Sequence, residues 1–254
     1  MQPVGVKVLK KEKMNDTVYR ITVKAPRIGR EAEPGQFLYV KCSSTLDPFL
    51  RRPFSINKVE GDNVSIMFKI IGKGTRLLAG IKQGDELDVM GPLGNGFPIE
   101  KSFKRAVVVG GGIGAAPLLY LMQYLKNLGI EGDVIIGAPD ARSLLCVEEF
   151  ERLGKVLCAT EDGSMGIKGL PTRILEERLT HIRYDVIYTC GPRVMMQAVK
   201  QLGAGFNTPV FVSLEERMGC GIGACLGCVC KSEKGYMKVC KDGPVFNAGE
   251  VVLE

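Results

Sequence analysis

The sequence contains no tryptophan and only one histidine, His181, among its 254 residues. A Rieske iron–sulfur centre needs two histidine ligands, so a single histidine excludes that type of site. It equally excludes a haem held by two histidines and leaves little room for histidine-based acid–base chemistry. No run of 18 apolar residues occurs, so the sequence predicts no membrane-spanning helix and no membrane partner. The chemistry of this chain must therefore rest on other residue types.

The sequence also lacks any concentrated block of positive charge. The formal net charge is +6, and the basic residues are spread along the chain. From residue 211 to the end we count five basic and six acidic residues, so this cysteine-rich part is nearly neutral. A zinc-containing module that reads nucleic acid should be clearly basic, so no nucleic-acid partner is expected.

Cysteine is plentiful, with nine residues, although the first residues do not resemble a secretion signal. In a reducing compartment such cysteines remain thiols or bind metal. We therefore expect a cytoplasmic protein in which some of the cysteines hold a metal centre.

Four cysteines near the end of the chain, Cys220, Cys225, Cys228 and Cys240, have the spacing C-x4-C-x2-C followed by eleven residues and a cysteine. This is the plant-type ferredoxin pattern for a [2Fe–2S] cluster held by four thiolates. Glycines between them permit a tight loop whose N–H groups can point at the cluster sulfurs. The short final spacer predicts a tight turn between residues 229 and 239.

Two other interpretations of the cysteines remain open. A disulfide framework is possible in principle, but nothing else suggests secretion. A structural zinc site usually combines two pairs of ligands, whereas this motif has three cysteines and then one. Cys230 lies two residues after Cys228, and we interpret it as a close neighbour of the ligand set.

The first hundred residues are predicted to form an antiparallel β-barrel. Segments 18–24, 36–41 and 63–69 alternate apolar and polar residues and are separated by glycine-containing turns. From about residue 101, apolar strands at 106–110, 133–137, 156–160 and 185–189 alternate with helical segments at 115–128, 144–153, 169–179 and 192–202. This alternation predicts a doubly wound α/β domain. The predicted ranges are 1–100 for the barrel, 101–210 for the α/β domain and 211–254 for a small cluster module.

Two segments of the barrel have the residues expected of a flavin site. In Arg51–Ile56, Arg52 could pair with a pyrophosphate, Phe54 could lie against an isoalloxazine ring, and Ser55 could hydrogen-bond that ring. Further along, Gly74 and Thr75 begin a short helix whose N–H groups could hold a phosphate. The alternative for the first segment is a turn with a surface arginine and a core phenylalanine. The predicted FAD-binding residues are Arg52, Pro53, Phe54, Ser55, Met67, Phe68, Lys69, Gly74 and Thr75.

A glycine loop follows the first strand of the α/β domain. Gly110, Gly112 and Gly114 match both G-x-G-x-x-A and G-x-G-x-x-x-x-P, between a strand and a helix, as a dinucleotide loop requires. Cys190, Gly191 and Pro192 end a later strand, at the sheet edge where ligands bind in such folds. The alternatives are a strand–helix turn that merely needs glycine and a packed cysteine.

Together these motifs resemble the ferredoxin–NADP reductase superfamily, whose members join an FAD barrel to a nicotinamide domain. The segments Leu50–Ile56 and Ser213–Cys230 further resemble the electron-transfer subunits of NAD-dependent (class 1B) dihydroorotate dehydrogenases. The resemblance covers essentially the whole chain. It implies that Arg52–Ser55 and Gly74–Thr75 contact FAD, that Gly110–Pro117 and Cys190–Pro192 contact NAD, and that Cys190 and Glu215 lie near the flavin and nicotinamide, with no catalytic residue assigned.

The same resemblance implies a role and a partner. An FMN-bearing catalytic subunit would oxidise dihydroorotate to orotate, and electrons would pass through the [2Fe–2S] cluster and FAD to NAD⁺. Two subunits of each kind would form a heterotetramer for pyrimidine synthesis. At the end of the second α/β strand, Asp140 favours NAD whereas Arg142 would favour NADP, and the subfamily resemblance favours NAD.

Two alternative functions remain. The same cofactors could serve a hydrogenase, sulfhydrogenase or ferredoxin-linked NADPH complex, whose members share this three-part layout. A different class is an interaction protein with a degenerate flavoprotein fold stabilised by zinc. The retained glycine loops argue against that class.

Overall fold

The computed structural model describes residues 3–233 and 235–253. The ranges predicted for the first and last domains include Met1, Gln2, Lys234 and Glu254, which lie outside the described residues. No helix in the described part of the chain is long and apolar enough to cross a bilayer.

The first part of the chain is a closed six-stranded antiparallel barrel, which confirms the predicted barrel. Its strands are β1 (Val4–Lys13), β2 (Val18–Lys24), β3 (Phe37–Val40), β4 (Arg52–Glu60), β5 (Asn63–Lys69) and β6 (Glu86–Leu93). They are hydrogen-bonded in the order β1-β2-β5-β4-β3-β6. Two short helices, α1 (Pro26–Glu31) and α2 (Lys73–Ala79), lie in the connections. Alternate residues such as Ile21 and Val23 point inward and form the barrel core.

The second part is a seven-stranded sheet with helices on its faces, which confirms the predicted α/β domain. In chain order its elements are β7 (Arg105–Gly111), α3 (Ala115–Asn127), β8 (Glu131–Ala138), α4 (Val147–Glu151), β9 (Lys155–Thr160), β10 (Ile167–Lys168), α5 (Pro171–His181), β11 (Val186–Cys190), α6 (Arg193–Gly205) and β12 (Val210–Ser213). The last strand, β15 (Val245–Asn247), comes after the cysteine loop of residues 214–228 and a separate hairpin. The order is β10-β9-β8-β7-β11-β12-β15. Because helices cover both faces, β7 is an unbroken apolar run, with Val107, Val108 and Val109 fully buried.

The last part of the chain leaves this sheet and returns to it. After β12, which pairs parallel with β11, the chain forms the cysteine loop and the antiparallel hairpin of β13 (Val229–Ser232) and β14 (Gly235–Lys238). It then adds β15 antiparallel to β12. The sheet therefore continues past residue 210, where one domain boundary was predicted. The division into three ranges stays a prediction.

The barrel and the α/β domain are joined by polar contacts in a buried interface. Arg20 of β2, only 6% exposed, donates two hydrogen bonds to the carboxylate of Glu149 in α4, at 2.6 and 2.9 Å. Asn57 donates to the carbonyl of Ala116 at 2.8 Å, across the junction of β4 and α3. These bonds fix how the two predicted cofactor domains face each other.

Replacing Arg20 with alanine is expected to lower the free energy of unfolding by about 3 kcal/mol, because the Glu149 carboxylate then loses the guanidinium that donates two hydrogen bonds to it. This loss is near the low end of the range found when one partner of a buried ion pair is removed. Glu149 keeps partial solvent contact, and the Nζ of Lys58 lies 3.8 Å from its Oε1. Urea denaturation measures the change. The control is Arg27→Ala, which removes an exposed pair with Glu31 within α1 and should change the free energy by less than about 0.5 kcal/mol. Equal losses in the two variants would contradict a special role for Arg20.

Candidate functional site

The glycine loop lies where the order of the sheet reverses, between β7 and β11. Gly112 has a φ of +54°, and a Cβ placed on it would have no atom within 4 Å, whereas a Cβ on Gly114 would overlap the carbonyl oxygen of Cys190. Gly110 packs closely on helix α3, where a Cβ would meet Leu118 at 3.1 Å. The loop therefore needs glycine both for its turn and for its approach to the neighbouring strand end.

The end of β11 meets this loop directly. Cys190 pairs with Gly110 in the sheet, and a Cβ on Gly191, whose φ is +153°, would lie 3.0 Å from the backbone of Gly111. A Cβ on Gly111 would in turn lie 2.7 Å from Pro192. The structure thus brings together the two segments predicted to bind the nicotinamide nucleotide, at the sheet edge where such ligands bind. Their assignment to NAD stays a prediction.

Cys190, the last residue of β11, lies near Glu215, which follows β12 by two residues. The thiol of Cys190 is 1% exposed and packed in an apolar cluster, and this burial raises its pKa well above the ordinary value. Glu215 is exposed to solvent, yet desolvation by the surrounding protein atoms raises the pKa of its carboxyl group. The burial of Cys190 favours the packing interpretation for its thiol, and contact of either residue with a nicotinamide stays a prediction.

The sheet edge beyond β8 and β9 is acidic. Asp140 accepts a hydrogen bond from the backbone N–H of Ser143 at 2.8 Å and caps the short turn of residues 141–143, in which Arg142 is exposed. Glu161 and Asp162, which follow β9 directly and are also exposed, were missed in the sequence analysis. This concentration of carboxylates disfavours an additional 2′-phosphate and so favours NAD over NADP.

The predicted flavin residues come together on the barrel around the start of α2. Arg52 donates to the carbonyl oxygens of Leu50 and Arg51 at 2.7 and 3.1 Å, and a Cβ on Gly74 would lie 3.5 Å from its Nε. The hydroxyl of Thr75 accepts from the N–H groups of Ile71 and Gly72 at 3.0 and 3.1 Å, which shapes the loop. A guanidinium beside glycine amides is a suitable set of donors for a diphosphate.

The other predicted flavin residues divide between the core and the surface. Phe54 is buried and its ring centroid lies 5.4 Å from that of Phe68 inside the barrel, which favours the core-packing interpretation over a ring stack on a flavin. Met67 is buried, while Lys69 is exposed. Pro53 and Ser55 are partly exposed on β4. Contact of any of these residues with FAD stays a prediction.

The cysteine loop turns its backbone N–H groups toward sulfur. The Sγ of Cys220 accepts from the amides of Ile222, Ala224 and Cys225 at 3.5, 3.2 and 3.4 Å. Gly223 donates to the Sγ of Cys240 at 3.1 Å. Such donors stabilise thiolates, the form in which cysteine binds metal.

The remaining thiols complete the same arrangement. Gly227 donates to the Sγ of Cys225 at 3.4 Å, and the amide of Cys240 donates to the Sγ of Cys228 at 3.4 Å. A Cβ on Gly219 would lie only 3.2 Å from the Sγ of Cys225, so a larger residue there would have to displace this thiol. The structure therefore brings the four predicted ligands together, three of them in the cysteine loop and Cys240 after the hairpin of β13 and β14, although their binding of a cluster stays a prediction.

Electrostatics differ between the two halves of the cysteine set. Burial tends to raise the pKa of Cys220, but hydrogen bonds from the amides of Ile222, Cys225 and Ala224 outweigh it and lower this pKa to about 6. Burial, together with the adjacent Cys228 thiol, raises the pKa of Cys240 to about 12. Hydrogen bonds pair the same residues, since the Sγ of Cys220 accepts from the amide of Cys225 and the Sγ of Cys228 accepts from the amide of Cys240.

This pairing bears on the kind of metal centre. Within the described residues, no three or more Cys, His, Asp or Glu side chains are grouped so that they could hold a metal ion as they stand. Two contacting pairs of thiols fit a two-iron cluster, in which each iron takes two thiolates, better than one tetrahedral zinc. Cys230 is 4% exposed and lies on β13 in an apolar cluster with Val239, which agrees with its interpretation as a neighbour.

Tyr39 of β3 joins the barrel to the cysteine loop and was missed in the sequence analysis. It is 2% exposed, and its hydroxyl lies 2.8 Å from the carbonyl oxygen of Gly219 and 3.1 Å from that of Met218. A signal for it existed in the sequence: Phe37–Val40 is apolar on both faces of the strand. In a barrel strand, such a pattern indicates that another part of the chain covers the outer face.

Two family models match the chain. The model described as an FAD-binding domain matches residues 4–86, which contain β1 to β5 and the start of β6. The model described as the iron–sulfur cluster binding domain of dihydroorotate dehydrogenase B matches residues 215–252. Both matches agree with the resemblances inferred from the sequence.

Curated relatives and solved structures extend the match to the whole chain. The dihydroorotate dehydrogenase B (NAD(+)) electron transfer subunit of Bacillus velezensis is 42% identical over all of this chain and all of its own length. The subunit of the same name from Bacillus caldolyticus is 44% identical, over 94% of each chain. A structure of NADH-dependent reduced ferredoxin-NADP oxidoreductase has a TM-score of 0.89 at 30% identity, over 98% of this chain and 90% of the other.

A more distant structure, a ferredoxin NADP+ reductase from Neisseria gonorrhoeae, shows the shared fold with a TM-score of 0.68 at 17% identity, over 81% of this chain and 92% of the other. The full-length identity to curated relatives, together with the cluster-domain match, assigns the family. This chain therefore belongs to the electron transfer subunits of dihydroorotate dehydrogenase B.

Proposed function

We propose that this chain delivers electrons from the oxidation of dihydroorotate to NAD⁺, as the electron transfer subunit of a two-component oxidoreductase of pyrimidine synthesis. Its partner is a separate FMN-containing catalytic subunit, and the assembly contains two subunits of each kind. When bound, a [2Fe–2S] cluster supplies one-electron exchange and FAD supplies two-electron exchange with a nicotinamide. The cytoplasmic location expected from the cysteine content remains a prediction.

One observation carries the proposal: the cysteine loop packs against the barrel next to the flavin motif. Tyr39, which contacts the loop, pairs across β3 and β4 with Pro53, within the segment Arg52–Ser55. A cluster held by the cysteines would thus lie beside the flavin strand. This proximity is what a chain that transfers electrons between the two groups needs.

The residues would have distinct tasks. Arg52 and the amides near Gly74 would hold the FAD diphosphate, and Ser55 on β4 would contact the flavin ring. Gly112 and Gly114 would let the NAD diphosphate approach the backbone at the start of α3, near Cys190 and Glu215. Cys220, Cys225, Cys228 and Cys240 would hold the cluster.

The surface of the cysteine loop is the proposed contact with the catalytic subunit. Ile222 and Leu226 are 53% and 61% exposed and lie between the proposed ligands. Exposed apolar side chains of this kind are typical of protein interfaces. A partner that docks on this loop would bring its own redox group toward the thiols.

One alternative has specific support. The structural match to NADH-dependent reduced ferredoxin-NADP oxidoreductase covers 98% of this chain, so the same layout serves a ferredoxin-linked complex. The identity there is 30%, against 42% and 44% for the dihydroorotate dehydrogenase relatives. The difference favours the dihydroorotate pathway.

The test is dihydroorotate-dependent reduction of NAD⁺ by material purified anaerobically from the native host through a tag on this chain. We expect absorbance at 340 nm to rise with dihydroorotate, and an FMN-containing chain to co-purify in equal amount. NADP⁺ should be a poor acceptor because of the acidic edge formed by Asp140, Glu161 and Asp162. A preparation that contains FAD and iron but does not oxidise dihydroorotate would refute the proposal and favour the ferredoxin-linked alternative.

A further inference from the structure

Tyr39 faces away from the barrel to which it belongs. Its neighbours in β3, Leu38 and Val40, lie in the barrel core, whereas Tyr39 lies in a different apolar cluster with Met218, Cys228 and other residues of the C-terminal part. The strand therefore uses one face for the barrel and the other for the cysteine loop.

The contacts of Tyr39 surround a single cysteine. Its hydroxyl donates one hydrogen that is shared between the carbonyl oxygens of Met218 and Gly219, at 3.1 and 2.8 Å. Its ring lies against Gly221, where a Cβ would stand 2.8 Å from Cδ1 and where φ is +73°. Gly219 and Gly221 flank Cys220, so Tyr39 holds the backbone on both sides of this residue.

Because Tyr39 holds this backbone, it affects the hydrogen bonds that the Sγ of Cys220 accepts. Three amides donate to the Sγ of Cys220, from Ile222, Ala224 and Cys225. Their aim depends on the path of the chain from residue 218 to residue 221, because these residues orient the loop that follows. Hydrogen bonds to the sulfurs of an iron–sulfur cluster are one determinant of its reduction potential.

We propose that Tyr39 is a positioning residue that holds residues 218–221 on the flavin barrel, keeps the loop amides aimed at Cys220, and so sets the reduction potential of the cluster. The inference rests on the proposed function, since it requires Cys220 to be a cluster ligand. The effect of Tyr39 passes through the peptides on each side of Cys220.

The test compares Tyr39→Phe with Tyr120→Phe. The first variant keeps the ring against Gly221 and removes only the hydroxyl. The second removes another buried hydroxyl, which donates to the carbonyl of Ala32 at 2.8 Å between the barrel and α3. Each variant is purified anaerobically as the full chain, and its iron content, electron paramagnetic resonance spectrum and cluster midpoint potential are measured.

We expect Tyr39→Phe to bind iron and to lower the midpoint potential, because less well-aligned amides stabilise the added electron less. A threefold change in the one-electron reduction equilibrium corresponds to about 28 mV, at 59 mV per tenfold. Its resonance spectrum should also change, whereas Tyr120→Phe should keep the wild-type potential and spectrum. Tyr39→Leu, which removes the ring as well, should lose part of its iron.

Each outcome decides the inference. A Tyr39→Phe protein with the wild-type potential and spectrum overturns it, even if that protein is less stable. Loss of iron from Tyr39→Phe but not from Tyr120→Phe also overturns it, since the hydroxyl would then be needed to bind the cluster and not to set the potential of a bound one. A wild-type chain that binds no iron refutes the cluster assignment itself, which separates failure of the proposed function from failure of this inference.

Discussion

Replacing Cys225 with serine is expected to remove the cluster and abolish dihydroorotate-dependent NAD⁺ reduction while FAD remains bound. Cys225 is the exposed member of the set, and its Sγ accepts a hydrogen bond from Gly227. Serine is nearly the same size, so the fold should persist. Its hydroxyl does not ionise as a thiol does and is a poor ligand for iron in such a cluster. Iron analysis, the visible spectrum and the coupled assay measure the three parts of this result.

The matched control is Cys230→Ser. Cys230 is buried two residues after Cys228, so this variant makes the same chemical change beside the proposed ligands. We expect it to keep its iron and its coupled activity, with some loss of stability from placing a hydroxyl in an apolar cluster. Full coupled activity in Cys225→Ser, or loss of iron from Cys230→Ser alone, would contradict the ligand assignment.

Replacing Gly114 with alanine is expected to weaken NAD⁺ binding at least tenfold, about 1.4 kcal/mol. The new Cβ would overlap both the carbonyl oxygen and the carbonyl carbon of Cys190. Backbone atoms cannot rotate away as a flexible side chain can, so the loop and the end of β11 must separate. The NADH concentration that gives half of the maximal rate of FAD bleaching, in rapid mixing, compares the nucleotide affinities of the variants. Iron and FAD contents should stay unchanged, because neither proposed site includes Gly114.

Gly205→Ala provides the control at the end of α6. A Cβ there meets no atom within 4 Å, and alanine has the higher helix propensity. This variant should bind NADH as the wild type does. If Gly114→Ala bound NADH as tightly as the wild type, the glycine loop could move away from Cys190 without weakening nucleotide binding. The proposed role of the contact between Gly114 and Cys190 would then be wrong.

The elements best predicted from sequence are those with local signals. The cysteine spacing identified Cys220, Cys225, Cys228 and Cys240, which the structure brings close together. Alternating residues identified β2 and β5 with the bounds that the structure has. The glycines of the loop after β7 were predicted from their position between a strand and a helix. In each case the pattern that allowed the prediction lies within one short segment of the sequence.

Other features depended on contacts between distant segments. Sequence reasoning left Phe54 open between a flavin contact and a place in the core, and only the fold shows that it packs beside Phe68 inside the barrel; its contact with FAD stays a prediction. The return of the chain to the sheet as β15 was not predicted, because a strand of three residues carries too little periodicity. Glu161 and Asp162 became relevant only when the order of the sheet placed β9 next to β8.

By itself the sequence determined the cofactor chemistry, since cysteine spacing and glycine loops are properties of short segments that must wrap a cluster or a phosphate. It also determined the barrel and the α/β domain, because strand and helix periodicities are local. Only the tertiary structure decided how the parts face one another: Arg20 with Glu149, Gly114 with Cys190, and Tyr39 with the loop that carries Cys220. These pairs are 76 or more positions apart in the chain, and no local pattern relates residues at that separation. Their contact results from packing the two domains and the cysteine loop against each other.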